Sequence, residues 1–242
     1  MDAAAWIGFA GGIIAALISG VVALRQTRMA ESLAKLNADL ETEVHRRTSL
    51  IDRDLAAEDV LARYREPLAA AAFDLQSRLY NILRMDFFGK YGGTPRAADA
   101  LTTTLFRIAQ YFGWTELLRR DIQFLSFPEA EATRHVARLQ ADISKCFLTH
   151  TYGLAMMIWS DEQRAIGERM IVEEHGKILC MGYARFRESC EAIFTPWHER
   201  LRAELLDESI EDRLRNVQHL LCDFVETLDE KRVRYAEDLQ RA

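Results

Sequence analysis

Proline is scarce in this chain, four residues in 242 (Pro67, Pro95, Pro128 and Pro196). Stretches that alternate apolar with polar residues are equally rare. A sheet protein needs that period-two pattern and frequent turn residues, so the chain reads as all-α. Cysteine is sparse too. Cys146, Cys180, Cys190 and Cys222 stand far apart, with no paired-thiol motif. That excludes a disulfide scaffold and fits thiols kept reduced. Cys180, Cys190 and His198 lack the spacing of a structural zinc site. The formal net charge is −6, with both signs well mixed. There is no basic stripe, so no nucleic-acid partner is expected.

The motifs that announce chemistry are also missing. There is no Gly-rich phosphate loop closed by Lys-Ser/Thr, no nucleophile elbow and no His-Glu-x-x-His zinc motif. None of the six histidines has Glu three residues before it, which excludes the Glu-x-x-His pairs of di-iron bundles. No cofactor and no metal are expected.

What the chain does have begins at its N-terminus. Ala3 to Leu24 contains no charged residue and no Asn, Gln or His. At 1.5 Å per residue such a helix is roughly 33 Å long, enough for a hydrocarbon core of about 30 Å. A cleaved signal peptide would want basic residues ahead of a shorter core. Here Asp2 precedes the run, and Arg25, Arg28 and Lys35 follow it. The run is therefore expected to be a single transmembrane helix in an inner or plasma membrane. Its N-terminus would lie outside and the bulk of the chain in the cytoplasm. Gly8, Gly12, Ala16 and Gly20 recur every four residues, a thin stripe on which a second membrane helix could pack closely.

Residues 25–66 hold no Pro or Gly. Leu33, Leu36 and Leu40 keep coiled-coil spacing, and Val44, Ile51 and Leu55 continue on a shifted seam, as after a stutter. This predicts a self-associating helical stalk. The chain thus divides into an anchor (1–24), a coiled-coil stalk (25–66) and a cytoplasmic helical bundle (67–242).

Within the bundle, Pro67 is placed to start a helix whose buried face is Leu68, Ala72, Leu75, Leu79 and Ile82, ending near Phe88. Helix formers resume from Arg96 to Phe112. Gly113 then punctuates, and a short helix carries Trp114 to Leu125. A further helix spans roughly Glu129 to Leu148. Ser160 and Gln163 suggest a capping box for a helix from Asp161 to Met170. In 170–183, Glu-His-Gly-Lys sits between two apolar runs, so a small hairpin turning at His175-Gly176 or a helix break is expected. Helix returns from Phe186 to Phe194 and starts again at Pro196. A long C-terminal helix of about thirty residues is expected, with Ser209 as its cap. Its seam is Ile210, Leu214, Val217, Leu221, Phe224 and Leu228, continued by Tyr235. That seam suits either the bundle core or a protein partner.

One catalytic pattern can be found. All-α ribonucleases of the HEPN type carry Arg, four to six residues, then His on a helix, with the His in acid–base chemistry. Arg169 with His175 and Arg213 with His219 are similar in spacing. A chain with this many arginines and six histidines is expected to show about two such pairs by chance. His219, between seam residues Val217 and Leu221, should project to the outer face, with Asn216 and Gln218 as surface polar residues. His175 beside Glu173 and Glu174 could do acid–base work, but a solvated turn is the commoner meaning. The aromatic residues Phe106, Tyr111, Phe112, Trp114, Phe124 and Phe127 could line a ligand pocket, and more often such residues are core. The leading expectation is a membrane-anchored helical protein that acts by homo-oligomerisation and protein interaction. The alternatives are a membrane-tethered hydrolase or ribonuclease, and a ligand-sensing bundle.

Overall fold

The computed structural model describes the backbone of residues 3–122, 131–229, 234–235 and 238–242. Side chains at 3–18, 21–23, 53, 57, 122, 131–133, 190–196, 198 and 208 lie outside the description. The chain is 81% helix and 4% strand, so the all-α class holds. It forms two compact units, Met1–Asp52 and Arg53–Ala242.

The first unit is helix only. Helix α1 (Ala3–Met85) begins there. Among the described residues no helix is long and apolar enough to cross a membrane. The run expected to be an anchor, 3–24, falls mostly on side chains outside the description, Gly8, Gly12 and Ala16 among them. Gly20 is described and exposed.

The second unit starts upstream of Pro67, and Val60 and Leu61 are already buried in its core. Pro67 lies inside α1 instead of starting a helix. A mid-helix proline forfeits one backbone hydrogen bond. Here the helix is held on both sides of it, because Leu61, Leu68, Ala72, Leu75 and Leu79 are all buried in the same core. Asp86, with φ 50°, ends the run and caps the short α2 (Phe87–Gly92) by accepting from Gly89 N at 3.2 Å.

Helix α3 (Ala97–Ile122) passes straight through Gly113, which was expected to break it. The glycine serves packing. A β-carbon there would lie 2.7 Å from both Met170 Cβ and Cys180 Sγ. Helix α5 (Ser160–Arg169) approaches α3 just as closely, since a β-carbon on Gly167 would lie 2.6 Å from the Phe112 carbonyl oxygen. Two glycines thus let α5 and the following hairpin sit against the α3 backbone. The cap of α5 is also not the expected one. Trp159 N donates to Glu162 Oε2 at 2.8 Å, while Gln163 turns inward to Ser144 and the Ile158 carbonyl.

Between them, β1 (Ile171–Glu174) and β2 (Lys177–Cys180) pair antiparallel, with Val172 opposite Leu179 and Glu174 opposite Lys177. His175 and Gly176 have φ of 53° and 72°, the two left-handed positions that a tight two-residue hairpin turn demands. Helix α6 (Tyr183–Glu204) is continuous across Pro196, where a new helix was expected.

Helix α4 (Glu131–Leu148) packs against α7 (Glu211–Leu228). Helix α7 has 18 residues, shorter than the thirty expected, and Ser209 lies in the 3-10 turn Glu208–Ile210 before it. Asp229 explains the stop: its carboxylate accepts from the backbone N–H groups of Arg234 and Tyr235, turning the chain away. Tyr235 then packs on Phe73, with ring centroids 5.0 Å apart.

Candidate functional site

The expected site residues do not form one centre. Arg213 is the clearest case, because it is a fully buried charge. Its guanidinium donates to the carbonyls of Cys146 (2.8 Å), Phe147 (3.1 Å), Thr149 (2.9 Å), Gly153 (2.7 Å) and Ala155 (3.1 Å). The last carbonyls of a helix have no internal partner and carry the negative end of its dipole. Arg213, reaching from α7, closes the C-terminus of α4 and the loop that follows. Burial lowers its affinity for the proton, and Cys146, Tyr152 and Glu204 nearby offset this only in part. Its five hydrogen bonds all go to backbone carbonyls and the side chain is fully buried, which leaves it no exposed face for a substrate phosphate.

His219 is only partly buried, and its Nε2 lies 2.8 Å from the Ala242 carbonyl oxygen. The C-terminal segment covers it. Arg241 reaches Asp223 at 2.6 Å and Glu226 at 3.3 Å on the same helix. Gln218, expected at the surface, is fully buried. Its amide nitrogen meets Gln76 Oε1 at 3.1 Å and Gln240 O at 2.6 Å, while its oxygen accepts from Ala242 N. The spacing of the leucine row implies a narrow seam, and Gln218 falls beside it. In fact Arg213, Gln218, Cys222 and Val225 widen the buried face beside the leucine row. That face is the bundle's own core, the first of the two uses its spacing allowed.

Arg169 and His175 are both exposed. Beside the turn, Glu174 pairs with Arg185 at 3.4 Å. The aromatic residues resolve as packing. Tyr111 and Phe112 are buried and meet Phe224 and Phe147 edge-on. Phe106 packs on Tyr183 and Phe186, and Trp114 on Tyr64. Phe124 and Phe127 lie outside the described residues.

A second buried arginine, Arg78, donates to Thr104 Oγ1 at 3.0 Å and stacks 3.9 Å over the Phe87 ring. Burial, helped by Arg107, takes its pKa down to about 10. An open pocket of about 340 Å³ between α4 and α7 is lined by His135, Leu139, Asp223, Glu226 and Thr227. Arg241 already pairs with both of its carboxylates. Among the described residues, no group of His, Cys, Asp and Glu is placed to hold a metal ion. Burial pushes the thiols of Cys146 and Cys222 up to about 11 and that of Cys180 to about 12, so none of the three is an activated nucleophile.

The surface that stands out is on the first unit. Met29, Leu33, Leu36, Leu40, Val44 and Ile51 project from α1 with 54–69% of each residue exposed. An apolar row of this length, interrupted by Arg47, is uncommon on the free surface of a single helix. Comparison with protein-family models, with curated proteins and with solved structures finds no match to this chain.

Proposed function

We propose that this chain is a single-pass membrane protein that works by self-assembly, as a scaffold, signalling element or effector at the membrane. The observation that carries the reading is the exposed apolar row from Met29 to Ile51 on a helix with no other element to cover it within its unit. The uncharged run Ala3–Leu24 immediately before it, followed by Arg25 and Arg28, supports insertion with the Arg53–Ala242 unit on the cytoplasmic side. The folded unit then acts as the cargo that assembly gathers, and it meets any protein partner through surfaces other than the buried face of α7.

Membrane fractionation tests the anchor. Full-length chain should stay with the pellet after alkaline carbonate extraction, and chain lacking residues 1–24 should be released. Protease added to right-side-out membranes should leave the Arg53–Ala242 unit intact. Full-length chain extracted into the soluble fraction would overturn the reading.

A further inference from the structure

Resting on the self-assembly reading, the seam on α1 can be read more finely. Met29, Leu33, Leu36, Leu40, Val44 and Ile51 are spaced 4, 3, 4, 4 and 7. Arg47 falls in the last gap and completes the series as 4-3-4-4-3-4, two successive eleven-residue repeats, Met29 to Leu40 and Leu40 to Ile51. A heptad repeat lags an α-helix by about 20° each time and winds the pair left-handed. An eleven-residue repeat covers three turns, leads by a similar angle, and winds the pair gently right-handed.

We infer that this face is closed by the same face of a second copy, parallel and in register, in a right-handed coiled coil with Arg47 as its one polar layer. Three observations select that occupant. Only a helix with the same eleven-residue repeat stays in contact along both repeats. The six apolar side chains offer on the order of 100 Å² each, so two copies bury roughly 1,200 Å², above the approximate 1,000 Å² expected of a specific interface. Direction follows from Arg47. An antiparallel mate centred on Leu40 would set each Arg47 against Leu33, a charge against an apolar side chain. The parallel mate keeps both Arg47 residues in a single layer. Each lies beside a carboxylate that it shares with Arg46, because Arg47 Nε lies 2.7 Å from Glu43 Oε1 and Arg46 holds both Glu43 oxygens at 2.9 Å.

Single cysteines placed in the full-length chain in membranes test this, with mild oxidation and non-reducing gels as readout and the unsubstituted chain as background. Leu36→Cys, Val44→Cys and Ile51→Cys should each form several-fold more covalent dimer than Glu43→Cys and Leu50→Cys. Those two positions are where a heptad continued from Leu40 would place its core. Maxima at 43 and 50 would overturn the eleven-residue repeat. Cross-linking of Leu36→Cys with Val44→Cys but not with itself would overturn the parallel arrangement. A chain that light scattering shows to be oligomeric, yet cross-links at none of these sites, would sink this inference and leave self-assembly standing. A monomer would remove both. All five positions are at or near the exposed surface of a single helix, so the substitutions leave the Arg53–Ala242 unit folded.

Discussion

Arg213 Nη1 sits 2.8 Å from the Cys146 carbonyl oxygen, and through that contact α7 terminates α4. Four further carbonyls share the same guanidinium. Removing it leaves the buried Cys146 carbonyl without its guanidinium donor and takes one donor each from Phe147, which keeps Ile158 N–H, and from the less buried Thr149, Gly153 and Ala155. Arg213→Met should therefore cost about 3–5 kcal/mol in denaturant unfolding. Arg213→Lys should recover only part, because an ammonium cannot fan out to five acceptors. A loss under about 1 kcal/mol for Arg213→Met would contradict the structural role given to this residue.

The α3–α5 crossing depends on an absent methyl group. Gly167→Ala would put carbon 2.6 Å from the Phe112 carbonyl oxygen, a backbone atom that cannot swing aside. The expected cost is about 1–3 kcal/mol, read as a lower denaturation midpoint with unchanged slope. Gly113→Ala should behave alike. Gly92→Ala, which meets nothing within 4 Å, should be close to neutral and serves as the control.

The start of the folded unit can be measured by trimming. A fragment beginning at Arg53 keeps Val60, Leu61 and Tyr64, whose hydroxyl donates to Asp121 at 2.8 Å. One beginning at Pro67 loses all three. Burial of two aliphatic side chains alone is worth roughly 3–6 kcal/mol, so the shorter fragment should melt well below the longer. Equal melting temperatures would place the boundary at Pro67.

Alkaline pH should destabilise the folded unit. The thiols of Cys146 and Cys222 are held at about 11 by burial, against an ordinary 9.0. Folded chain therefore keeps protons that unfolded chain gives up. Their contribution is complete below about pH 9 and is lost as pH rises through 11. Tyr64, pushed up to about 12 by burial and by its bond to Asp121, adds the same sign above pH 10. The melting temperature should fall steadily from pH 8.5 upward, and the slope should flatten in a Cys146→Ala, Cys222→Ala variant whatever its baseline stability. An unchanged slope in that variant would contradict the assignment.

Helix faces were the legible part of this sequence. Leu68, Ala72, Leu75 and Leu79, and the α7 row from Leu214 to Leu228, are buried as their spacing implies. Helix ends were not. Pro67, Gly113 and Pro196 are local breakers, yet packing across the core carries the helices through them, and tertiary context overrides a propensity of a few kcal/mol. The hairpin was half legible, since His175-Gly176 signals a turn but not that its strands pair. Arg213 and Gln218 were opaque for another reason. Nothing local distinguishes a buried arginine from the exposed ones until the α4 terminus that it closes is in place. Gln218 takes its partners from Gln76 and Gln240, both remote in sequence.

Self-assembly through the Met29–Ile51 face can be weighed by light scattering on the detergent-solubilised full-length chain. A defined oligomer is expected. Leu36→Glu with Leu40→Glu should convert it to monomer without moving the melting temperature of the Arg53–Ala242 unit. A monomeric unsubstituted chain, or an oligomer that the double substitution leaves intact, would contradict self-assembly through that face.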